Sequence, residues 1–204
     1  YPLGIDLPGE KRGMIPNAKY YDKAYRGSWN GLTIISISIG QGEVTLTPLQ
    51  IANLGATIAN RGYYITPHVV KSIENDAIDT LYTQKKYTKV DRIHYEEVVE
   101  GMRMAVTGGT CRMANLPDIE VCGKTGTAQN RGKDHSAFMG FAPMNNPKIA
   151  IAVYVENGGF GAVYGVPIGR LMIEQYLKGE LTPQDEELAT DIQNRRIDYG
   201  IHER

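Results

Sequence analysis

The sequence has no apolar run that approaches the ~20 residues a membrane-spanning helix needs. Its net charge is −1 and its basic residues are spread throughout, which gives no electrostatic case for binding nucleic acid or an anionic membrane surface. Residues 1–8 have neither the basic region nor the apolar region of a signal peptide, and there is no initiator Met. We therefore expect the chain to be a piece of a longer protein.

Cysteine and histidine are also scarce. The two cysteines, Cys111 and Cys122, are separated by ten residues, and in an oxidising compartment they could form a disulfide. The interpretation we favour is that both are small buried packing residues. The four histidines show no metal-ligand spacing with one another or with the cysteines. We therefore expect no metal site and no cofactor.

The chain has 204 residues, of which 42% are hydrophobic, so it can bury one sizeable core. Its clearest helix begins at Pro48, where Thr47 and Gln50 have the spacing of a capping box, and it ends at Gly62. A helix is also expected over residues 94–106, with an inward face of Tyr95, Val98, Met102 and Ala105. Another is expected over residues 165–178, with Ile168, Leu171, Met172 and Gln175 on one face.

Alternating apolar and polar residues predict an antiparallel meander with strands at 119–129, 136–142 and 148–156. Residues 1–31 are rich in Gly, Pro, Tyr and charge, and we expect an extended segment with turns. Residues 180–204 are dominated by charge and are expected to form a solvated tail or a loose helix. The predicted fold class is α/β (α+β), an antiparallel sheet flanked by helices.

The most informative stretch is the strand at 122–129, because it contains Lys-Thr-Gly-Thr. An exposed strand supplies N–H donors for an oxyanion, and it can also pair with an extended peptide. Lys124 adds a positive charge, and the hydroxyls of Thr125 and Thr127 are able to bind a carboxylate. Gly126 lets another backbone approach closely. These properties are what acyl transfer from a peptide or a strained lactam requires.

Two other interpretations of this tetrad have to be considered. The phosphate-binding loop Gly-x-x-x-x-Gly-Lys-Thr also contains Gly-Lys-Thr, but its first glycine would fall at Asp118, whose carboxylate would repel phosphate. An ordinary exposed strand with a chance Lys-Thr-Gly is the second alternative when the tetrad is taken alone. The remaining segments of the chain argue against that alternative.

Several separated segments, in order, resemble the transpeptidase domain of the class B penicillin-binding proteins, and most closely the elongation type, penicillin-binding protein 2. They are Gly-Ile-Asp-Leu-Pro-Gly-Glu at 4–10, Ser-Ile-Gly-Gln-Gly at 38–42, Thr-Pro-Leu-Gln at 47–50, Ala-Asn-Arg-Gly at 59–62, Gly-Lys-Thr-Gly-Thr-Ala-Gln at 123–129 and Phe-Met-Gly-Phe-Ala-Pro at 138–143. Matches in the right order are far more specific than one tetrad. The resemblance implies a partial, serine β-lactamase-like domain, with residues 1–179 as the C-terminal portion of the transpeptidase domain and 180–204 as a charged C-terminal tail.

The resemblance also implies roles for the tetrad. Lys124 and Thr127 are the expected catalytic residues: Lys124 supports proton transfer and orients the substrate carboxylate, and the Thr127 N–H supplies half of an oxyanion hole. Thr125, Gly126 and Thr127 are the expected substrate-binding residues. The implied ligands are peptidoglycan stem peptides and β-lactams, and an elongation glycosyltransferase is an implied partner. The parent enzyme is expected at the periplasmic face of the bacterial inner membrane.

The nucleophile of that family is missing from this sequence. None of the five serines is followed three residues later by Lys, so there is no Ser-x-x-Lys. Ser28-Trp29-Asn30 spells the family's second motif, Ser-x-Asn, but it lies after the Leu-Pro-Gly-Glu segment, and we interpret it as coincidental, with Trp29 as a packing residue. The parent is expected to be a D,D-transpeptidase and this chain alone to be inactive. A serine β-lactamase or D,D-carboxypeptidase, a non-enzymatic β-lactam sensor and a pure interaction module remain alternatives.

Four other residues are candidates for a role in or near the site. His135 follows a turn, and we expect a surface histidine rather than a catalytic base. Gln41 lies between two glycines and is expected to be a turn residue, with a cleft-lining role as the alternative. Phe160 and Tyr164, in the Gly-rich region after the third strand, could rim a substrate groove.

Overall fold

The computed structural model describes residues 2–197 and residue 199. Within these residues the α-helices are α1 (Ala18–Tyr25), α2 (Gly31–Ser38), α3 (Pro48–Ala59), α4 (Arg92–Thr107), α5 (Gly165–Lys178) and α6 (Pro183–Asn194). The strands are β1 (Tyr63–Tyr64), β2 (Lys86–Tyr87), β3 (Cys122–Ala128), β4 (His135–Ala142) and β5 (Ile149–Val155). Short 3₁₀ turns lie at Thr80–Tyr82 and Arg112–Ala114.

The main sheet is an antiparallel meander in the order β3-β4-β5. Lys124 is paired with Met139, and Thr127 is paired with Ser136 on the central strand. In the described part of the chain, β3 is therefore an edge strand. The meander and the α+β class predicted from the alternating pattern are confirmed. β3 and β5 are shorter than predicted at both ends, and β4 begins one residue earlier than predicted.

The sheet is covered on both faces. α5 packs on one face and α3 on the other, while α4 packs against β3. Because side chains alternate along a strand, Ile151 and Val153 join the buried cluster under α5, whereas Cys122 and Phe141 join the cluster on the α3 side. This two-sided cover explains why β5 carries small or apolar residues on both faces.

The ring of Phe138 fills space that three glycines leave open. A Cβ atom added to Gly123, Gly140 or Gly169 would lie 2.5, 2.6 and 2.5 Å from that ring, respectively. Gly123 is on β3, Gly140 is on β4 with Phe138 itself, and Gly169 is on α5. The side chain of Phe138 is only 1% exposed, and it sets the close approach of α5 to the sheet.

The predicted start of α3 is confirmed. The Gln50 N–H donates to Thr47 Oγ1 over 3.2 Å, and the Thr47 N–H donates to Gln50 Oε1 over 2.9 Å, which is a reciprocal capping box. After the helix, Arg61 and Gly62 adopt positive φ values of 57° and 109°, and these turn the chain into β1.

The expectation of an extended segment over residues 1–31 is wrong in part, because it contains α1. Asn17 caps α1 by accepting the Tyr20 N–H over 3.0 Å. Tyr21 is 1% exposed and donates its hydroxyl to Glu43 over 3.0 Å. α1 is thus stabilised by tertiary contacts to a residue 22 positions away, which the local pattern does not contain.

The inward faces of two helices were predicted correctly only in part. The predicted Tyr95 and Met102 of α4 are buried, and the predicted Ile168 of α5 packs against the core. On α4, Val99 and Val106 are fully buried, while Val98 is 46% exposed. On α5, Val166 and Ile173 face the sheet, while Met172 is 49% exposed. In each helix, apolar residues lie on adjacent stripes, and periodicity alone does not decide which stripe meets the sheet.

The charged C-terminal segment contains α6, which packs on α5. Asp185 is 1% exposed and accepts the Arg170 Nε–H over 2.7 Å. The charges of this segment therefore include a buried ion pair rather than solvated groups alone. The division of the chain at residues 179 and 180 stays a prediction. No helix in the described residues combines the length and the apolar character needed to cross a membrane.

Candidate active site

The Lys-Thr-Gly-Thr tetrad lies along the open edge of the sheet, on β3. Lys124 is exposed, and the other three residues are half-buried. Alternation along the strand places Lys124 on the α3 side and both Thr125 and Thr127 on the α5 side. The structure thus brings all four predicted residues to one strand edge, with polar groups on both of its faces.

Two carbonyl groups of β3 point away from β4. The Thr127 carbonyl accepts a hydrogen bond from Gln41 Nε2 at 3.0 Å, and the Thr125 carbonyl accepts one from Lys124 Nζ at 3.0 Å. In an antiparallel strand the N–H and C=O of one residue point to the same side. The N–H groups of Thr125 and Thr127 therefore also point away from β4. The Thr125 N–H meets the buried Cys111 thiol, whereas the Thr127 N–H has the orientation needed to bind an oxyanion or an added strand.

The Thr125 hydroxyl has a partner that the sequence analysis missed. Thr110, in the turn after α4, places its hydroxyl 2.8 Å from the Thr125 hydroxyl. The next residue, Cys111, is fully buried beneath them. Burial raises the pKa of the Cys111 thiol, although hydrogen bonds involving Thr110 and Thr125 act in the opposite direction.

Both cysteines are buried and free, which confirms the prediction that they are packing residues. Cys111 belongs to the cluster under α5, and Cys122 belongs to the cluster on the α3 side. Desolvation by burial raises the pKa of the Cys122 thiol to about 12. Both thiols therefore stay protonated near neutral pH, and neither has the character of a nucleophile.

The loop after β5 passes directly over the tetrad. A Cβ atom added to Gly161 would lie 2.7 Å from the Gly126 carbonyl oxygen and 3.0 Å from Thr125 Cβ, so only glycine fits there. The buried Ser136 side chain fixes this loop, because its Oγ donates to the Phe160 carbonyl over 2.9 Å and accepts the Gly165 N–H over 3.0 Å. The side chain of Phe160 is 70% exposed. Its role at the rim of a groove stays a prediction.

An apolar groove of about 240 Å³ lies on the other face of the tetrad. Leu46 and Leu54, before and on α3, form one wall, and Lys124 and Gly126 of β3 are among the residues opposite. Leu46 and Leu54 are 41% and 49% exposed. The tetrad is therefore accessible from this side too, through a groove whose lining is mostly hydrophobic.

Two other candidates have structural partners. His135 Nδ1 accepts the Asn157 N–H over 2.9 Å, so it holds the turn after β5. In Ser28-Trp29-Asn30, the Asn30 side chain caps α2 and the indole Nε1 of Trp29 donates to Asp22 over 2.8 Å, which agrees with a packing role for Trp29. Among residues 2–197 and 199, no group of three or more His, Cys, Asp or Glu side chains is arranged to hold a metal ion.

An open-edged antiparallel sheet that carries this tetrad is typical of the penicillin-interacting class of proteins. Comparison with known proteins agrees: the family described as the penicillin binding protein transpeptidase domain matches residues 2–173. The chain belongs to this family.

Individual relatives are similar over most of the chain. It is 35% identical over 178 residues to the peptidoglycan D,D-transpeptidase MrdA of Acinetobacter baumannii, an alignment that covers 78% of this chain and 26% of that protein. The crystal structure of Pseudomonas aeruginosa PBP2 in complex with WCK 5153 superimposes with a TM-score of 0.75 and 34% identity, and covers 88% of this chain and 40% of that one. The imipenem acyl-enzyme of penicillin-binding protein A from M. tuberculosis gives a TM-score of 0.66 and 29% identity, with coverage of 86% and 40%. The chain thus spans well under half of each of these relatives.

Proposed function

We propose that this chain is the C-terminal part of a peptidoglycan D,D-transpeptidase, which cross-links stem peptides through a serine acyl-enzyme and is acylated by β-lactams. The observation that carries the proposal is the open edge of β3, where Lys124 lies beside outward-facing backbone groups of Thr125 and Thr127. The nucleophilic serine and its lysine base would lie in a part of the protein that precedes Tyr1. Relatives that are named peptidoglycan D,D-transpeptidases support this assignment.

In the proposed reaction, a stem peptide would pair with β3 as an added strand. The Thr127 N–H would then donate to the oxyanion that forms when the serine attacks the peptide carbonyl, with the second donor outside this chain. The Lys124 ammonium would stabilise the negative charge of the substrate carboxylate and assist proton transfer. The Thr125 and Thr127 hydroxyls would hydrogen-bond that carboxylate, and the missing side chain of Gly126 would let the substrate backbone lie close.

The chain alone would hold substrate weakly and perform no chemistry, because it lacks a serine with an adjacent lysine base. The resemblance to elongation-type enzymes further supports a glycosyltransferase of peptidoglycan synthesis as a partner. It also supports a position of the full protein at the periplasmic face of the inner membrane. Both follow from the family rather than from contacts of this chain.

The test compares two proteins: the longer gene product that contains this sequence, and the 204-residue chain. Each is incubated with a fluorescent penicillin and run on a denaturing gel. We expect a covalently labelled band for the longer protein and none for the chain. Lys124→Ala in the longer protein should slow labelling strongly, whereas Lys133→Ala, an exposed lysine in the turn between β3 and β4, should not. An unlabelled longer protein, or a labelled chain, would contradict the proposal.

A serine β-lactamase is the second candidate, since it shares the strand motif. The lifetime of the label separates the two activities. A transpeptidase would keep the penicilloyl group through long incubation, whereas a β-lactamase would release it and continue to hydrolyse free penicillin. Formation of cross-linked product from stem peptides would then exclude a β-lactam sensor without enzymatic activity.

A further inference from the structure

We propose that Gln41 is a specificity-determining residue, whose side-chain amide occupies the position of a substrate N–H on the Thr127 carbonyl. Ligands that donate an N–H to this carbonyl must displace Gln41, and ligands without such a donor need not. This inference rests on the proposed function and extends it, because it states which part of a ligand meets a competing group of the protein.

The side-chain amide of Gln41 contacts a backbone carbonyl group of β3. Gln41 Nε2 lies 3.0 Å from the Thr127 carbonyl oxygen, although the two residues are 86 positions apart. That carbonyl faces the open edge of β3, where an added strand would use both the N–H and the C=O of Thr127. Gln41 therefore already makes one of the two hydrogen bonds that a bound extended ligand would make there.

In the loop of residues 40–42 the backbone is fixed, but the side chain of Gln41 is able to rotate. The Gln41 N–H donates to the Ser36 carbonyl over 3.1 Å, which ties the loop backbone to the end of α2. Gly40 and Gly42 flank it at φ values of 75° and 66°, where glycine is accommodated without strain. The Gln41 side chain is only half-buried, so rotation of that side chain releases the Thr127 carbonyl without refolding the loop.

The hydrogen bond from Gln41 to the Thr127 carbonyl is weak enough for a ligand to displace it. A hydrogen bond between two neutral groups changes an equilibrium by about 2- to 10-fold once exchange with water is included. A bound ligand that also pairs with the Thr127 N–H and with Lys124 has enough other interactions to replace it. Gln41 thus discriminates among ligands without blocking the edge.

The experiment uses two β-lactams that differ at this position. Benzylpenicillin carries an amide N–H beside its β-lactam ring, whereas imipenem carries a hydroxyethyl group there. Second-order acylation rate constants are measured for the longer protein with Gln41→Met, which keeps the length of the side chain and removes its donor. We expect the rate for benzylpenicillin to rise by about 2- to 10-fold relative to that for imipenem. Gln84→Met, at an exposed position, is the matched control and should leave the ratio unchanged.

A second variant, Gln41→Ala, tests whether the effect comes from the bulk of methionine. It should also raise the ratio of the benzylpenicillin rate to the imipenem rate. Acylation of the unchanged protein in the same assay tests the proposed function separately. Normal acylation with an unchanged or lowered ratio in both Gln41 variants would overturn the role of Gln41 alone. Absence of acylation in the unchanged protein would overturn the proposed function and this inference with it.

Discussion

The hydroxyl groups of Thr110 and Thr125 lie 2.8 Å apart and join the turn after α4 to the second residue of the Lys-Thr-Gly-Thr strand. This bond limits the rotation of the Thr125 hydroxyl. Thr110 itself contacts no reacting group in the proposed mechanism. Its role is to position Thr125.

Thr110→Val keeps the shape of the side chain and removes this bond. In the longer protein we expect acylation by benzylpenicillin to slow by about 5-fold, the value of one neutral hydrogen bond, because the Thr125 hydroxyl loses its fixed orientation. Thr80→Val, on an exposed 3₁₀ turn, is the control. Equal rates for the two variants, or a Thr110→Val protein that is simply unfolded by circular dichroism, would contradict a positioning role.

The glycines around Phe138 lead to a stability prediction. A Cβ atom at residue 169 would lie 2.5 Å from the Phe138 ring, so we expect Gly169→Ala to lower the free energy of unfolding by about 1–3 kcal/mol through overpacking. Gly101, in α4, has nothing within 4 Å of such an atom, and Gly101→Ala should stabilise by about 0.5–1 kcal/mol. Urea unfolding of the 204-residue chain measures both changes.

The double variant Gly169→Ala with Phe138→Leu supplies the decisive control. A smaller side chain at 138 makes room for the added methyl group, so the two changes together should cost less than the sum of their separate effects. Strict additivity would show that the methyl group is accommodated elsewhere and that the ring does not set the position of α5.

The elements that the sequence predicted correctly are those specified by local chemistry. The capping box of Thr47 and Gln50 lies within one turn of helix, and the alternation along β5 needs only neighbouring residues. The stripe of α5 that meets the sheet depends instead on Gly169, because only a glycine at this position leaves room for the ring of Phe138 on β4. A single-sequence pattern shows that α5 is amphipathic but does not contain this partner.

The same distinction applies to the candidate site. Lys124, Thr125, Gly126 and Thr127 form a continuous motif, so their chemistry was visible in the sequence, although their roles stay proposals. The contact of Gln41 with Thr127 joins residues 86 positions apart. It could be found only after α2 and β3 had been placed, since glycines on both sides of a residue indicate a turn and not what its side chain touches.

Cys122 leads to a pH prediction. Burial raises the pKa of its thiol from 9.0 to about 12. Below pH 9 the thiol is protonated in both the folded and unfolded states. Between pH 9 and 12 it ionises only when the chain unfolds, which favours the unfolded state, so this contribution to stability is lost as the pH rises.

Wild type and Cys122→Ala should therefore converge in stability at alkaline pH. We expect the advantage of the wild type in urea unfolding under reducing conditions to be about 1 kcal/mol smaller at pH 10 than at pH 8. Other titrating groups are common to both proteins and cancel in the difference. A difference that stays constant over this range would show that the thiol reaches water in the folded state.

The last helix holds the loop that passes over the tetrad. Arg195, at the end of α6, donates to the Val163 carbonyl over 2.7 Å, and its guanidinium lies 5.5 Å from the centre of the Tyr164 ring. Asp191 orients this guanidinium by accepting from both Nε and Nη2, at 3.0 and 2.6 Å. α6 lies beyond residues 2–173, which match the family, so this support comes from outside the matched domain.

Removal of this side chain should loosen the loop and leave the sheet intact. In Arg195→Ala we expect amide hydrogen exchange over residues 157–164 to accelerate by about 10-fold, because a charge-assisted hydrogen bond is lost. Arg196→Ala, at the exposed neighbouring position, should exchange like the wild type. Faster exchange throughout β5 as well as the loop would show that Arg195 contributes to global stability, and unchanged exchange would show that Ser136 is sufficient to fix the loop.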